Sequence, residues 1–223
     1  MTLASPQPLT IDVGKTTSVS ALLTRPALAS ACFVFAHGAG AGMTHPYMEA
    51  VAAGLAARNV ATLRYQFPYM EKNSKRPDPP AAAQATVRAA VDMAARMLPQ
   101  VPLIAGGKSF GGRMTSQAQA KQPLANVSGL AFFGFPLHAA GKPSIERAAH
   151  LADIGIPMLF LQGTRDKLAE LDLFKPVIAG LGERATLHLV EGADHSFHVP
   201  ARSGRKDEDV MHEMLDVLVE WAA

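Results

Sequence analysis

A chain of 223 residues with 48% hydrophobic content is long enough for one sizeable core and too short for two. Its 21 basic and 19 acidic residues leave a formal charge of +2, and aromatic and basic residues do not interleave, so a nucleic-acid surface is not expected. A single cysteine, Cys32, excludes an internal disulfide, and neither a leader-like start nor an apolar window of spanning length is visible; both features predict a cytoplasmic protein without a membrane partner.

The first segments, Leu9–Val13 and Val19–Leu23, read as strands. A continuous apolar run then places a buried strand over Cys32–Ala36, and it ends in His37-Gly38-Ala39-Gly40-Ala41-Gly42. Small residues let a backbone approach a bound group, so the N–H of Ala39 is a candidate donor to a developing negative charge. The same run is also compatible with a plain glycine turn. His37 precedes the turn and is expected as a packed, hydrogen-bonded residue rather than a base. A helix over Pro46–Arg58 and a strand over Ala61–Tyr65 follow. Gln66–Pro80 carries Lys72, Lys75 and Arg76 among Pro77, Pro79 and Pro80, which excludes a regular helix or a central strand. It is either a solvated loop or a pocket flank that presents cations to an acidic substrate.

A helix over Pro80–Leu98 leads to a strand over Leu103–Ala105, and a further helix is predicted over Met114–Lys121. Between the last two lies Ala105-Gly106-Gly107-Lys108-Ser109-Phe110-Gly111-Gly112, which contains G-x-S-x-G. A strand that turns sharply into a helix holds the serine in a strained backbone, and side chains two residues to either side would collide there, so Gly107 and Gly111 have a steric reason. The helix start also aims the N–H of Phe110 at whatever Ser109 attacks. A glycine-rich turn with an N-capping serine is the bland alternative. A phosphate loop is the other, because Gly107-Lys108-Ser109 repeats the end of G-x-x-x-x-G-K-[ST]. That motif needs a glycine where Pro102 stands, and the apolar run continues to Ala105, leaving the loop no room.

Strands are predicted over Gly129–Phe135, Met158–Leu161 and Leu187–Val190, with helices over Leu168–Leu181 and Glu208–Ala223. The last two strands run into Gln162-Gly163-Thr164-Arg165-Asp166 and Glu191-Gly192-Ala193-Asp194-His195. The order is therefore Ser109, Asp166, His195, the succession of one hydrolase fold and not of the chymotrypsin or subtilisin folds. A serine hydroxyl is a poor nucleophile near neutral pH. An imidazole must take its proton, and a carboxylate must orient that imidazole and stabilise its charge. His198 is a weaker candidate for the base, because the glycine turn favours His195. No histidine pair, His45 and His198 included, has ligand spacing on one helix and there is only one cysteine, so no metal is expected, and acyl transfer through a serine needs no organic cofactor.

His37-Gly38-Ala39-Gly40, Arg64-Tyr65-Gln66-Phe67-Pro68-Tyr69-Met70, Gly107-Lys108-Ser109-Phe110-Gly111-Gly112-Arg113 and Phe135-Pro136-Leu137-His138 together resemble the alpha/beta-hydrolase superfamily. Within it they are similar to the small dienelactone-hydrolase-like group related to the testis-expressed and NSL-complex hydrolase-like proteins. The resemblance implies one α/β domain over 1–223, with a mostly parallel eight-stranded sheet, helices on both faces and a minimal lid in the short Phe135–His150 segment. It implies Ser109, Asp166 and His195 as catalytic triad and Ala39 and Phe110 as oxyanion donors. The implied function is hydrolysis of an ester or thioester of a small-molecule acyl substrate through an acyl-enzyme. The alternative is a hydrolase-like interaction module with little turnover.

Overall fold

The computed structural model describes residues 5–223. Its centre is an eight-stranded sheet in the order β1-β2-β4-β3-β5-β6-β7-β8. The strands are β1 (Gln7–Val13), β2 (Thr17–Thr24), β3 (Ala31–Ala36), β4 (Val60–Tyr65), β5 (Leu103–Lys108), β6 (Val127–Phe133), β7 (Met158–Gly163) and β8 (Ala185–Val190). The first two pair antiparallel, β2 pairs antiparallel with β4, and every later pairing is parallel. Strands β3, β4 and β7 are buried at every position because helices cover both faces, which explains why they read as unbroken apolar runs.

Period-two alternation sorts those runs into two cores. Cys32, Val34, Leu130, Phe132, Met158 and Phe160 face one side, packed under α3 (Pro80–Met97), α4 (Phe110–Lys121) and α5 (Leu171–Ala179). Phe33, Phe35, Ala131, Phe133, Leu159 and Leu161 face the other, under α1 (Pro46–Ala56) and α6 (Asp207–Trp221). Strand β3 lies between β4 and β5, so the chain leaves it in opposite senses for its two neighbours. The loops after β3 and β5 therefore open a crevice at the carboxyl ends of the strands.

Where the elements depart from expectation, tertiary contacts supply the reason. Helix α4 starts at Phe110, not at Met114, because the poor helix formers Gly111 and Gly112 are held by close packing against β3 and β5. Strand β5 continues through Gly106, Gly107 and Lys108, so these residues pair with β3 and β6 and do not curve around a phosphate. Helix α5 starts at Leu171, not at Leu168, where the Leu168 carbonyl accepts from His138 N–H and the Glu170 N–H turns to His138 Nε2. Strand β6 stops at Phe133, since Gly134 turns out of the sheet at φ +67°. Gln66–Pro80 does contain helix: Pro68–Glu71 forms the short α2, with proline in the first turn, where no N–H is needed. In Phe135–His150 the side chains of Phe135, Leu137 and Ala148 are buried, and the 3-10 turn Glu146–Asp153 packs against α4, where His150 meets Ser116, as no more than a minimal lid.

Candidate active site

Ser109 sits at the β5–α4 corner with φ +50° and ψ −114°, a region that costs a non-glycine residue about 1–3 kcal/mol. Sterics account for the corner. A Cβ on Gly107 would lie 2.5 Å from the Ala36 carbonyl oxygen, and one on Gly111 would lie 2.5 Å from the His37 carbonyl oxygen. Both glycines thus let the elbow press against the end of β3. Phe110 opens α4, so its N–H belongs to the first turn, which has no intrahelical acceptor.

Across the crevice, the loop after β3 is tied down from below. His37 is buried, with Nδ1 2.8 Å from the Gly38 carbonyl and Nε2 accepting from the Phe67 N–H at 3.1 Å. The two partners together require the neutral tautomer with the proton on Nδ1, and burial lowers the pKa of the imidazole to about 4. Gln66 Oε1 accepts from Met43 N–H at 2.8 Å, the Arg64 guanidinium donates to the Met43 carbonyl at 3.0 Å, and the Tyr69 hydroxyl accepts from Gly40 N–H at 3.3 Å. The end of β4 and the segment after it therefore support the Gly38–Met43 turn. The segment's cations Lys72, Lys75 and Arg76 are not among the residues that line the crevice, and Lys72 and Arg76 line a separate surface pocket beside Tyr69, so of the two readings of this segment the charged flank of the crevice is not formed.

The β7 and β8 loops complete the geometry. Asp166 is buried and accepts from Gln162 Nε2 at 2.6 Å and Leu168 N–H at 2.8 Å. Its Oδ2 lies 2.7 Å from His195 Nδ1, and His195 Nε2 lies 2.8 Å from Ser109 Oγ. Burial alone would raise the pKa of Asp166. The hydrogen bond and charge of His195, the Leu168 amide and the nearby Lys108 cation outweigh it and hold the carboxylate below its ordinary value. Asp194 shapes the last turn by accepting from the amides of Ser196 and His198 at 2.8 and 3.0 Å. Thus the structure brings together Ser109, Asp166 and His195 from three strand ends, and places Ala39 in the same crevice with Ser109 and His195.

The crevice is a cleft of about 490 Å³, with apolar lining from Ala39, Ala41, Tyr47, Met48 and Leu168. Tyr47, Met48 and Leu168 carry no motif, and only the fold shows that they line it. His45 lines the rim and caps α1 by accepting from Tyr47 N–H. His198 is exposed and faces the Asp207 carboxylate at 2.8 Å. Cys32 is core, and burial pushes its thiol up to about 12. Among the described residues no cluster of three or more His, Cys, Asp or Glu could hold a metal, and no helix is long and apolar enough to cross a membrane.

Residues 29–223 match the family of the alpha/beta hydrolase domain. Similar solved structures include an alpha-beta serine hydrolase homologue from Coxiella burnetii, at 21% identity and TM-score 0.77 over 100% of both chains. A serine hydrolase without a lid from Xanthomonas campestris matches at 20% identity and TM-score 0.76, over 99% of this chain and 97% of that one. A dienelactone hydrolase from Anabaena variabilis matches at 19% identity and TM-score 0.75, over 98% and 97%.

Proposed function

The chain belongs to the alpha/beta hydrolase family, and on that premise we propose that it is a serine hydrolase cleaving a carboxylic ester or thioester through an acyl-enzyme on Ser109. The observation that carries this reading is the hydrogen-bonded series from Ser109 through His195 to Asp166, at 2.8 and 2.7 Å. Ser109 Oγ attacks the acyl carbon while His195 Nε2 takes its proton. The tetrahedral oxyanion is met by the amides of Ala39 and Phe110. Collapse expels the alcohol or thiol, which His195 protonates, and a water activated by the same imidazole releases the acid. Asp166 keeps the Nδ1 proton in place and stabilises the imidazolium. A cleft of about 490 Å³ with an apolar lining suits a small acyl group.

The test is labelling of the purified protein by a fluorophosphonate, with folding followed by circular dichroism. Wild type should label rapidly, and Ser109→Ala and His195→Ala should not label at all. Labelling of Ser109→Ala at the wild-type rate would remove the assignment.

A further inference from the structure

Lys108 has no part in the steps above, yet it stands at the join of the two loops that must stay in register. It is the last residue of β5, directly before Ser109, and its ammonium donates to the backbone carbonyl of His195 at 2.5 Å. The same nitrogen lies 5.2 Å from the centre of the Phe197 ring, two residues beyond His195. The niche is closed on the β6 side: a Cβ on Gly134 would lie 3.0 Å from the ammonium and 3.4 Å from the His195 ring. An unbranched aliphatic side chain would fill such a niche without placing a charge in it. Enclosing a cation there has a desolvation cost, set against its partners.

Resting on the serine-hydrolase reading, we propose that Lys108 is a positioning residue whose ammonium ties the histidine loop to the nucleophile corner and so keeps His195 aimed at Ser109. The bond spans 87 positions of sequence between a strand end and a loop, and it fixes the backbone of the very residue that must reach Ser109 Oγ. A charged donor makes a hydrogen bond roughly twice as strong as a neutral one, so the ammonium holds the carbonyl better than the free amine. Facing it are the Asp166 carboxylate at the end of β7 and the Asp194 carboxylate in the loop after β8, both of which favour the charged form. Burial works against them and lowers the Lys108 pKa to about 8.

The experiment compares fluorophosphonate labelling of wild type and Lys108→Met across pH, with Ser109→Ala as the blank and circular dichroism as the check on folding. Lys108→Met should bind the probe as wild type does but react about 10–100-fold more slowly, the scale on which misplacement by about 1 Å costs rate. Wild-type labelling should fall as pH rises through about 8, where the ammonium is lost, and the slow Met variant should lack that fall. A folded Met variant that labels at the wild-type rate overturns the proposal. If that variant does not fold, Lys108→Gln, too short to reach the His195 carbonyl, decides in its place: a folded Gln variant that labels at the wild-type rate overturns the proposal, and one that labels about tenfold or more slowly supports it. Wild type that never labels would instead strike the serine-hydrolase reading itself.

Discussion

Two loops close on Ser109 from opposite sides, and they are secured by different chemistry. The Gly38–Met43 turn rests on neutral groups: the uncharged ring of His37, the amide of Gln66 and the phenol of Tyr69, helped by one guanidinium from Arg64. The Asp194–His198 turn rests on charges: the Lys108 ammonium on the His195 carbonyl, the Asp194 carboxylate on two amides, and the Asp166 carboxylate on the His195 ring. The first arrangement survives only while His37 stays neutral, and the second only while its carboxylates and its lysine stay charged. Acid therefore loosens the turn carrying Ala39 through His37 and the histidine loop through its carboxylates, whereas alkali loosens the histidine loop through Lys108.

The largest effect should come from neutralising the charged side at its centre. Asp166→Asn keeps the shape but lets the side-chain amide face His195 Nδ1 as a donor, favouring the wrong tautomer. Turnover of an activated ester should fall about 10³–10⁴-fold with the fold intact. A loss of less than tenfold would mean that the carboxylate only fills space. On the neutral side, His37→Ala removes the acceptor of the Phe67 amide and the prop beneath Gly38. Under the proposed mechanism this misplaces the Ala39 amide, and losing one oxyanion donor costs about 10²–10³-fold, so kcat should drop by about that much while KM changes little.

The contrast sharpens in a pH titration of stability. In the unfolded chain His37 takes a proton near its ordinary value of 6.5, whereas in the fold it resists until about 4. Between those values the unfolded chain binds more protons, so stability rises with pH, and it is lost as pH falls from 6.5 toward 4. At about 1.36 kcal/mol per unit, this one imidazole accounts for about 3 kcal/mol of acid destabilisation. Urea unfolding at neutral pH and near pH 4 should show it, and His37→Gln should make the two curves converge by a similar amount. Parallel loss in the variant would assign acid sensitivity to other groups.

How much of this was legible in the sequence depends on the kind of force involved. The corner at Ser109 is dictated by backbone clashes, and clashes write themselves as glycines at fixed offsets, so Gly107 and Gly111 were readable without a structure. That Asp166 and His195 would meet at Ser109 was readable from strand ends and chain order. The props were not. Gln66 reaches Met43 across 23 positions and Tyr69 reaches Gly40 across 29, and nothing local marks a glutamine or a tyrosine for such a partner. Lys108 was masked differently: beside glycine and serine it reads as the tail of a phosphate loop, and only its bond to the distant His195 carbonyl shows another use. That Gly111 and Gly112 are themselves helical was hidden, although the elbow put the helix start beside Phe110, because glycine's low propensity points the wrong way where packing overrides it.

The smallest predicted effect tests whether the neutral side is a network or a single prop. The Tyr69 hydroxyl accepts from Gly40 N–H at 3.3 Å and lies 3.5 Å from the Gly38 carbonyl, both long for hydrogen bonds to a hydroxyl. Its ring packs near those of Phe67, His37 and Phe110, so Tyr69→Phe removes the hydroxyl and keeps the packing. If His37 and Gln66 already hold the turn, the variant should lose only a few-fold in kcat and about 0.5–1.5 kcal/mol in stability, the ordinary worth of one such bond. If Tyr69→Phe matches the loss seen in His37→Ala, the turn depends on every bond at once. The two loops would then differ in their sensitivity to pH but not in their tolerance of a missing contact.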